Sequence, residues 1–264
     1  MDLGLSNGAA AVVGGTRGIG LATAMCLAGE GCRVAVIGRR SDEVDRAALA
    51  LGQAGSPEVL PLPADARSTS EIEGAFESVR DAWGELNILV NAVGPAGAGT
   101  IEGLDDAAWA AVHDLGVMTA VRSVRSALPL LRSASWARIV NVTAMSVQHQ
   151  SPHLVAYTAA KSALLSLTKN LARSLAPEGI LVNAVAPGAI LTDWVGQALA
   201  GTDVDLADPV ASFERLQRAH GVSADLGRLG LPDEVAAVVA FCASPRNGYM
   251  TGAHINVDGG SDFL

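Results

Sequence analysis

The chain has 264 residues, half of them apolar and 17% charged, with a net charge of −9 at pH 7. That length suits one large α/β unit with a substantial core, and the acidic balance disfavours nucleic acid or an anionic membrane surface as a partner. Cys26, Cys32 and Cys242 lack metal-ligand spacing and cannot all pair, which suits a reducing, cytoplasmic setting. No basic segment precedes the first apolar run, and no apolar stretch approaches membrane-spanning length.

Ala9-Ala10-Ala11-Val12-Val13 is a short apolar run that stops at Gly14-Gly15-Thr16-Arg17-Gly18-Ile19-Gly20 and resumes with helical spacing at Leu21, Ala24, Met25 and Leu27. The pattern predicts strand, tight turn, helix. Glycines in such a turn let backbone N–H groups approach a pyrophosphate at the positive end of the helix, which is how a dinucleotide is held; the alternative is an ordinary glycine-rich loop. A second apolar run, 34–37, ends about twenty residues after the turn, where the chain meets the adenosine ribose. Gly38-Arg39-Arg40 follows, with no carboxylate for the two ribose hydroxyls of NAD. Arg39, with Arg17 as a second cation, suits a 2′-phosphate instead, which favours NADP(H) and leaves NAD(H) as the alternative.

Further strand-like runs at 59–62, 88–92, 139–143 and 181–186 alternate with segments of helical periodicity. Such alternation predicts an α/β fold, a doubly wound parallel sheet covered on both faces. No repeat or linker divides the chain, so 1–264 reads as a single domain. The stretch 193–228 mixes Gly201, Asp203, Asp205, Asp208 and Pro209 with Trp194, Val195, Leu199, Phe213 and Leu216. It reads as a partly helical excursion after a strand's carboxyl end, either a surface insertion or a substrate lid, with Trp194 as a pocket or core side chain.

Tyr157 and Lys161 stand four apart on a predicted helix, which puts both on one face. An ammonium beside a phenol favours the phenolate and would draw its titration toward neutrality, where it exchanges protons. The alternative is a solvated stripe. His149 and His153 share the same spacing but have no acidic or cysteine partner, and Pro152 disfavours a helix there, so they read as solvent-facing loop histidines and no metal site is expected.

Taken together, the motifs resemble those of the short-chain dehydrogenase/reductase family over nearly the whole chain. Residues 13–20 match its TGxxxGxG turn, with Val13 in place of Thr, and Tyr157 and Lys161 fall on its YxxxK pair. Asp65-Ala66, the degraded Asn91-Ala92-Val93-Gly94 segment and Pro187-Gly188-Ala189-Ile190-Leu191-Thr192 also match. So do 227–235, Thr251-Gly252 and Val257-Asp258-Gly259-Gly260. The likeness is greatest to the branch of 3-oxoacyl-carrier-protein reductases and secondary-metabolite ketoreductases. It implies a Rossmann fold with a seven-stranded parallel sheet and hydride transfer between NADP(H) and a ketone or secondary alcohol. It also implies cofactor contacts from Gly14, Thr16, Arg17, Gly18, Ile19, Gly20, Arg39, Asp65, Ala66, Asn91, Gly94, Pro187, Gly188, Ile190 and Thr192. Tyr157 would supply the proton, while Lys161 lowers its pKa and holds the nicotinamide ribose. A homo-oligomer, tetramer or dimer, would form through helices near 115–131 and 155–176, where Ala159, Ala160 and Ala163 permit close approach.

Two positions depart from the family. Thirteen residues before Tyr157, where a catalytic Ser is expected, stands Ala144. Ser146, two residues on, can present its hydroxyl to the same side; Thr143, or no replacement at all, are the alternatives. The family's catalytic Asn aligns with Gly116, which keeps a backbone carbonyl and tolerates an irregular helix, or else is a packing accommodation that weakens a water relay. These losses motivate a rival reading, a catalytically degenerate cofactor-binding scaffold, and an NAD-dependent alcohol or diol dehydrogenase stands as a further alternative. No motif names a substrate.

Overall fold

Seven parallel strands form one sheet in the computed structural model, which describes residues 2–95, 98–202 and 204–261 and leaves out the side chains of Trp194 and Gln197. The strands are β1 Ala9–Val13, β2 Arg33–Gly38, β3 Val59–Pro63, β4 Ile88–Asn91, β5 Ala137–Val142, β6 Ile180–Pro187 and β7 His254–Val257. The six runs read from the sequence fall on β1 to β6, and the family resemblance supplied the seventh strand. Around the sheet lie α1 Gly18–Gly29, α2 Ser41–Ala54, α3 Thr69–Trp83, α4 Asp106–His113, α5 Thr119–Ser133, α6 Val155–Leu175, α7 Asp193–Ala198, α8 Pro209–His220 and α9 Pro232–Ala243.

Alternation along β1 shows how the layers form. Ala9, Ala11 and Val13 point into an apolar layer completed by Ile72, Phe76 and Val79 of α3, Val124 and Leu131 of α5, and Ala172 and Leu175 of α6. Ala10 and Val12 point the other way, into a layer with Ala24 and Leu27 of α1, Val44 and Leu51 of α2, and Val235 and Val239 of α9. Successive strand residues face opposite sides, so a strand buried on both faces must be apolar throughout, as β1 is. The small Ala9, Ala10 and Ala11 also let helices lie close to the sheet.

Strand order is β3-β2-β1-β4-β5-β6-β7, and it sets where a ligand can bind. Val13, at the carboxyl end of β1, pairs with Ile37 of β2 on one side and with Asn91 of β4 on the other. Chain order reverses at β1, and in open α/β sheets a crevice opens at such a switch point.

The excursion after β6 is partly helical, as its composition suggests. Val195, Leu199, Phe213, Leu216 and Leu229 pack into a small apolar cluster of their own. Asp208 caps α8 by accepting the N–H groups of Val210 and Ala211 at 2.8 and 3.1 Å, and Pro209 takes the first helical position, where no N–H is needed. Asp203 and the side chain of Trp194 lie outside the described residues, so the pocket expected at Trp194 is not placed. Among the described residues, no helix is long and apolar enough to cross a membrane.

Candidate active site

The turn between β1 and α1 requires its glycines. Gly14 and Gly18 have φ of +81° and +53°. A Cβ at Gly20 would lie 2.0 Å from the carbonyl oxygen of Gly14, so the helix can start this close to the strand only without a side chain. Arg17 is the N-cap residue of α1 and its side chain caps nothing, so the first N–H groups of the helix keep their donors for an anion. Thr16 packs against Gly38, where a Cβ would lie 2.5 Å from its Cγ2. Half-buried Ile19 packs into the apolar layer beneath.

The other expected contacts gather around this turn. The place of a Cβ on Gly14 is 3.0 Å from the N of Val93, and that on Gly94 is 3.9 Å from Nζ of Lys161. Thr192 approaches Gly18, its Cγ2 3.5 Å from that glycine's Cβ position. Pro187 ends β6. Gly188 then donates its N–H to Val257 at 3.0 Å, and Ile190 bridges to Gly230, fixing the segment that leads to Thr192. A cleft of about 490 Å³ runs along this side of the turn, lined by Gly18, Met25, Thr192, Asp193 and Pro232; it does not reach Tyr157.

At the adenosine end, Asp65 is held by Arg67, whose Nη2 lies 2.6 Å from its Oδ2, and that bond keeps the carboxyl below its ordinary range. Arg39 contributes to the same shift through its charge and makes no ion pair among the described residues. The carbonyl of Ala66 accepts from Arg122 at 3.4 Å, while the other arm of Arg122 reaches Asp114 at 2.7 Å. Spacing gave no hint of this link from the adenosine loop to α5.

Asn91 is placed differently from the other expected cofactor contacts. Its amide donates to Oδ1 of Asn141 at 2.8 Å, and Asn141 donates to Thr168 of α6 at 2.9 Å. The side chain therefore braces β4 against β5 and α6 within the sheet.

Tyr157 and Lys161 lie on α6 as predicted, but their electrostatics correct the expectation from spacing. Burial pushes the Tyr157 phenol up to about 12, and burial alone lowers the Lys161 ammonium to about 8. Leaving water disfavours the charged phenolate, so the phenol keeps its proton at neutral pH. Lys161 is buried and donates to the carbonyl of Val142, the last residue of β5, at 2.8 Å.

The loop after β5 separates the candidates for a second hydroxyl. Ala144 is buried with an extended backbone, so the family's Ser position carries only a methyl. Thr143 has turned its hydroxyl toward the sheet, 3.1 Å from the carbonyl of Val185 and 3.1 Å from Nε2 of His254. Ser146, in a single 3₁₀ turn over Met145–Val147, is buried, and its Oγ has no hydrogen-bond partner. His149 and His153 are exposed as expected; the backbone carbonyl of His153 holds the N–H of Gly99 at 2.7 Å. No cluster able to hold a metal occurs among the described residues.

Gly116 sits in a π-helical turn, Asp114–Met118, between α4 and α5. A Cβ there would lie 2.7 Å from the Cβ of Ala160 and 3.4 Å from Cγ of Pro95. The helix is irregular at this glycine, and the missing side chain makes room for α6.

The comparisons agree with this geometry. A family profile described as enoyl-(acyl carrier protein) reductase matches residues 13–262. The chain is 33% identical to 2-(S)-hydroxypropyl-CoM dehydrogenase 3 of Xanthobacter autotrophicus, covering 97% of each. It is 32% identical to the 3-oxoacyl-[acyl-carrier-protein] reductase of Synechocystis, covering 95% of each. The structure of L-sorbose reductase from Gluconobacter frateurii, complexed with NADPH and L-sorbose, matches with a TM-score of 0.91 at 30% identity over 100% of both chains. With the glycine turn at the switch point and the Tyr157–Lys161 pair on α6, these matches place the chain in the short-chain dehydrogenase/reductase family, in its ketoreductase branch.

Proposed function

We propose that Tyr157, Lys161 and Ser146 carry the proton chemistry of this oxidoreductase, which moves hydride between NADP(H) and a ketone or secondary alcohol. The cradle suits the dinucleotide: a Cβ at Gly20 would fill it, and α1 offers uncapped N–H groups to a pyrophosphate. Gly14, Thr16, Gly18 and Ile19 would line the pyrophosphate, with Asp65 and Ala66 at the adenine. Arg17 and Arg39 would take the 2′-phosphate, and Gly94, Lys161, Pro187, Gly188, Ile190 and Thr192 would surround the nicotinamide half. When bound, the cofactor supplies or accepts the hydride.

The remaining chemistry belongs to the chain. Tyr157 holds its proton well above neutral pH, so in reduction it donates to the carbonyl oxygen as that oxygen becomes an alkoxide. Lys161, one helical turn away and anchored on Val142, sets its positive charge beside the phenolate left behind. Ser146 adds a second donor to the developing oxyanion. A buried hydroxyl with no partner costs about 1–3 kcal/mol, and the substrate oxygen is the partner that would recover it.

The observation that carries this reading is the juxtaposition of Lys161 with Gly94 and of Thr192 with Gly18, which brings the proton-handling end of α6 to the cofactor crevice. A cofactor-binding scaffold would share these contacts, and what sets the enzyme reading apart is Tyr157, whose hydroxyl serves proton transfer. NADPH oxidation measured against ketones, diketones and 3-oxoacyl thioesters tests the reading; no oxidation with any of them, by protein that binds NADPH, would favour the scaffold.

The organisation we propose is one dinucleotide-binding unit with 193–228 as its substrate lid, in a cytoplasmic homotetramer. Exposed Phe241 on α9, exposed Tyr249 and the edge strand β7 support assembly through the C-terminal segments. Light scattering showing a monomer at micromolar concentration would exclude the tetramer.

A further inference from the structure

Arg17 is already engaged. Its Nη1 lies 3.8 Å from Oδ2 of Asp193, the first residue of α7 and the neighbour of Thr192. Asp193 lines both clefts beside the glycine turn, the one with Gly18 and Thr192 and a smaller one of about 320 Å³ with Thr16, Arg17, Glu43 and Arg46. Other cations nearby also have partners: Arg40 pairs with Asp42 and Glu43, and Arg46 with Asp42. Arg39 alone among these arginines makes no ion pair within the described residues. The two guanidinium groups assigned to the 2′-phosphate are therefore unequal, one open and one facing a carboxylate.

We propose that Asp193 is a specificity-determining residue that restrains the preference for NADPH over NADH. The inference rests on the assignment of NADP(H) and of Arg17 above. Side chains 61% and 65% exposed form a pair that adds little to stability, so the pair matters chiefly through what else binds Arg17. A 2′-phosphate approaching Arg17 meets the Asp193 carboxylate behind it, and two anions sharing one guanidinium repel. NADH presents only hydroxyl groups at that point and feels almost none of this. At exposed positions a like charge on the same guanidinium changes binding by roughly 3- to 10-fold at low salt, and much less once salt screens it.

Binding of adenosine 2′,5′-bisphosphate and of adenosine 5′-monophosphate, measured by calorimetry, reads this without turnover. The full chain would be compared with Asp193→Asn, Arg17→Ala and the double variant, at low salt and at about 0.5 M salt. Asp193→Asn should tighten the bisphosphate by roughly 3- to 10-fold and leave the monophosphate within about twofold. That gain should shrink in high salt and be clearly smaller in the Arg17→Ala background, where competition for the guanidinium is gone and only direct repulsion remains. A gain equal for both ligands, a gain undiminished by loss of Arg17, or no gain would overturn the proposal. If the unaltered chain holds the bisphosphate no more tightly than the monophosphate, the assignment of NADP(H) fails and the proposal with it, a result distinct from the other three.

Discussion

Gly116 and Ala160 meet so closely that a Cβ on the glycine would lie 2.7 Å from the alanine's own Cβ. This contact joins the π-helical turn to the helix that carries Tyr157 and Lys161. It explains in packing terms why this chain has no side chain at the family's Asn position.

Gly116→Ala should therefore destabilise the protein. In a free helix the same change would add up to about 1 kcal/mol of stability, whereas overpacking costs about 1–3 kcal/mol. Denaturant unfolding reads the sign directly. The cost should fall when Ala160→Gly accompanies it, and a stabilising Gly116→Ala would refute the packing account.

Ser146→Ala should lower kcat by about 10²-fold, the usual effect of losing a donor to a developing oxyanion. Stability should not fall, because the deleted hydroxyl is buried without a partner. Ala144→Ser in that background should restore part of the rate. Unchanged kinetics in Ser146→Ala would leave Tyr157 and Lys161 to act alone, since Thr143 is spent on Val185 and His254.

Cofactor preference depends on Arg39. NADPH should exceed NADH in kcat/KM by at least about tenfold, the equivalent of ~1.4 kcal/mol, and Arg39→Asp should reverse the order. Equal use of both cofactors by the unaltered chain would remove the role given to Arg39.

The pH dependence of reduction should follow Lys161. Its ammonium titrates at about 8, so it is charged below that pH and neutral above it, while Tyr157, pushed up to about 12, keeps its proton across the same interval. Loss of the cation removes support for the phenolate formed in the proton transfer. kcat/KM for reduction should thus decline as pH rises through about 8, whereas a lysine at its ordinary 10.5 would hold the rate level to near pH 10. A level profile to pH 10 would contradict the role of burial.

Features carried by local sequence were legible. The turn at Gly14 to Gly20 announces itself because Gly14 and Gly18 have positive φ and Gly20 meets the carbonyl of Gly14, and the shared face of Tyr157 and Lys161 on α6 follows from a spacing of four. Tertiary effects were not. The spacing of Tyr157 and Lys161 suggested a lowered phenol pKa, but burial, which spacing does not report, reversed the direction. Asn91 matched a cofactor-side motif, and its spacing gave no sign that its amide also closes on Asn141, fifty positions away. The π turn at Gly116 does not show in the helical periodicity of its segment, and its contact with Ala160 of α6 is made only by folding. Asp193 was visible as a charge after Thr192, but only folding brings it to Arg17.

Tyr157→Phe, assayed for both turnover and NADPH affinity, tests the account most directly. The substitution deletes one oxygen and leaves the ring to pack on α6, so the fold and the glycine turn should be unaffected. Turnover should fall below detection while NADPH binds within about twofold of the unaltered chain, since the lost hydroxyl acts in proton transfer. A Tyr157→Phe protein that keeps most of its kcat would contradict the assignment of the proton donor, and with it the mechanism built on α6.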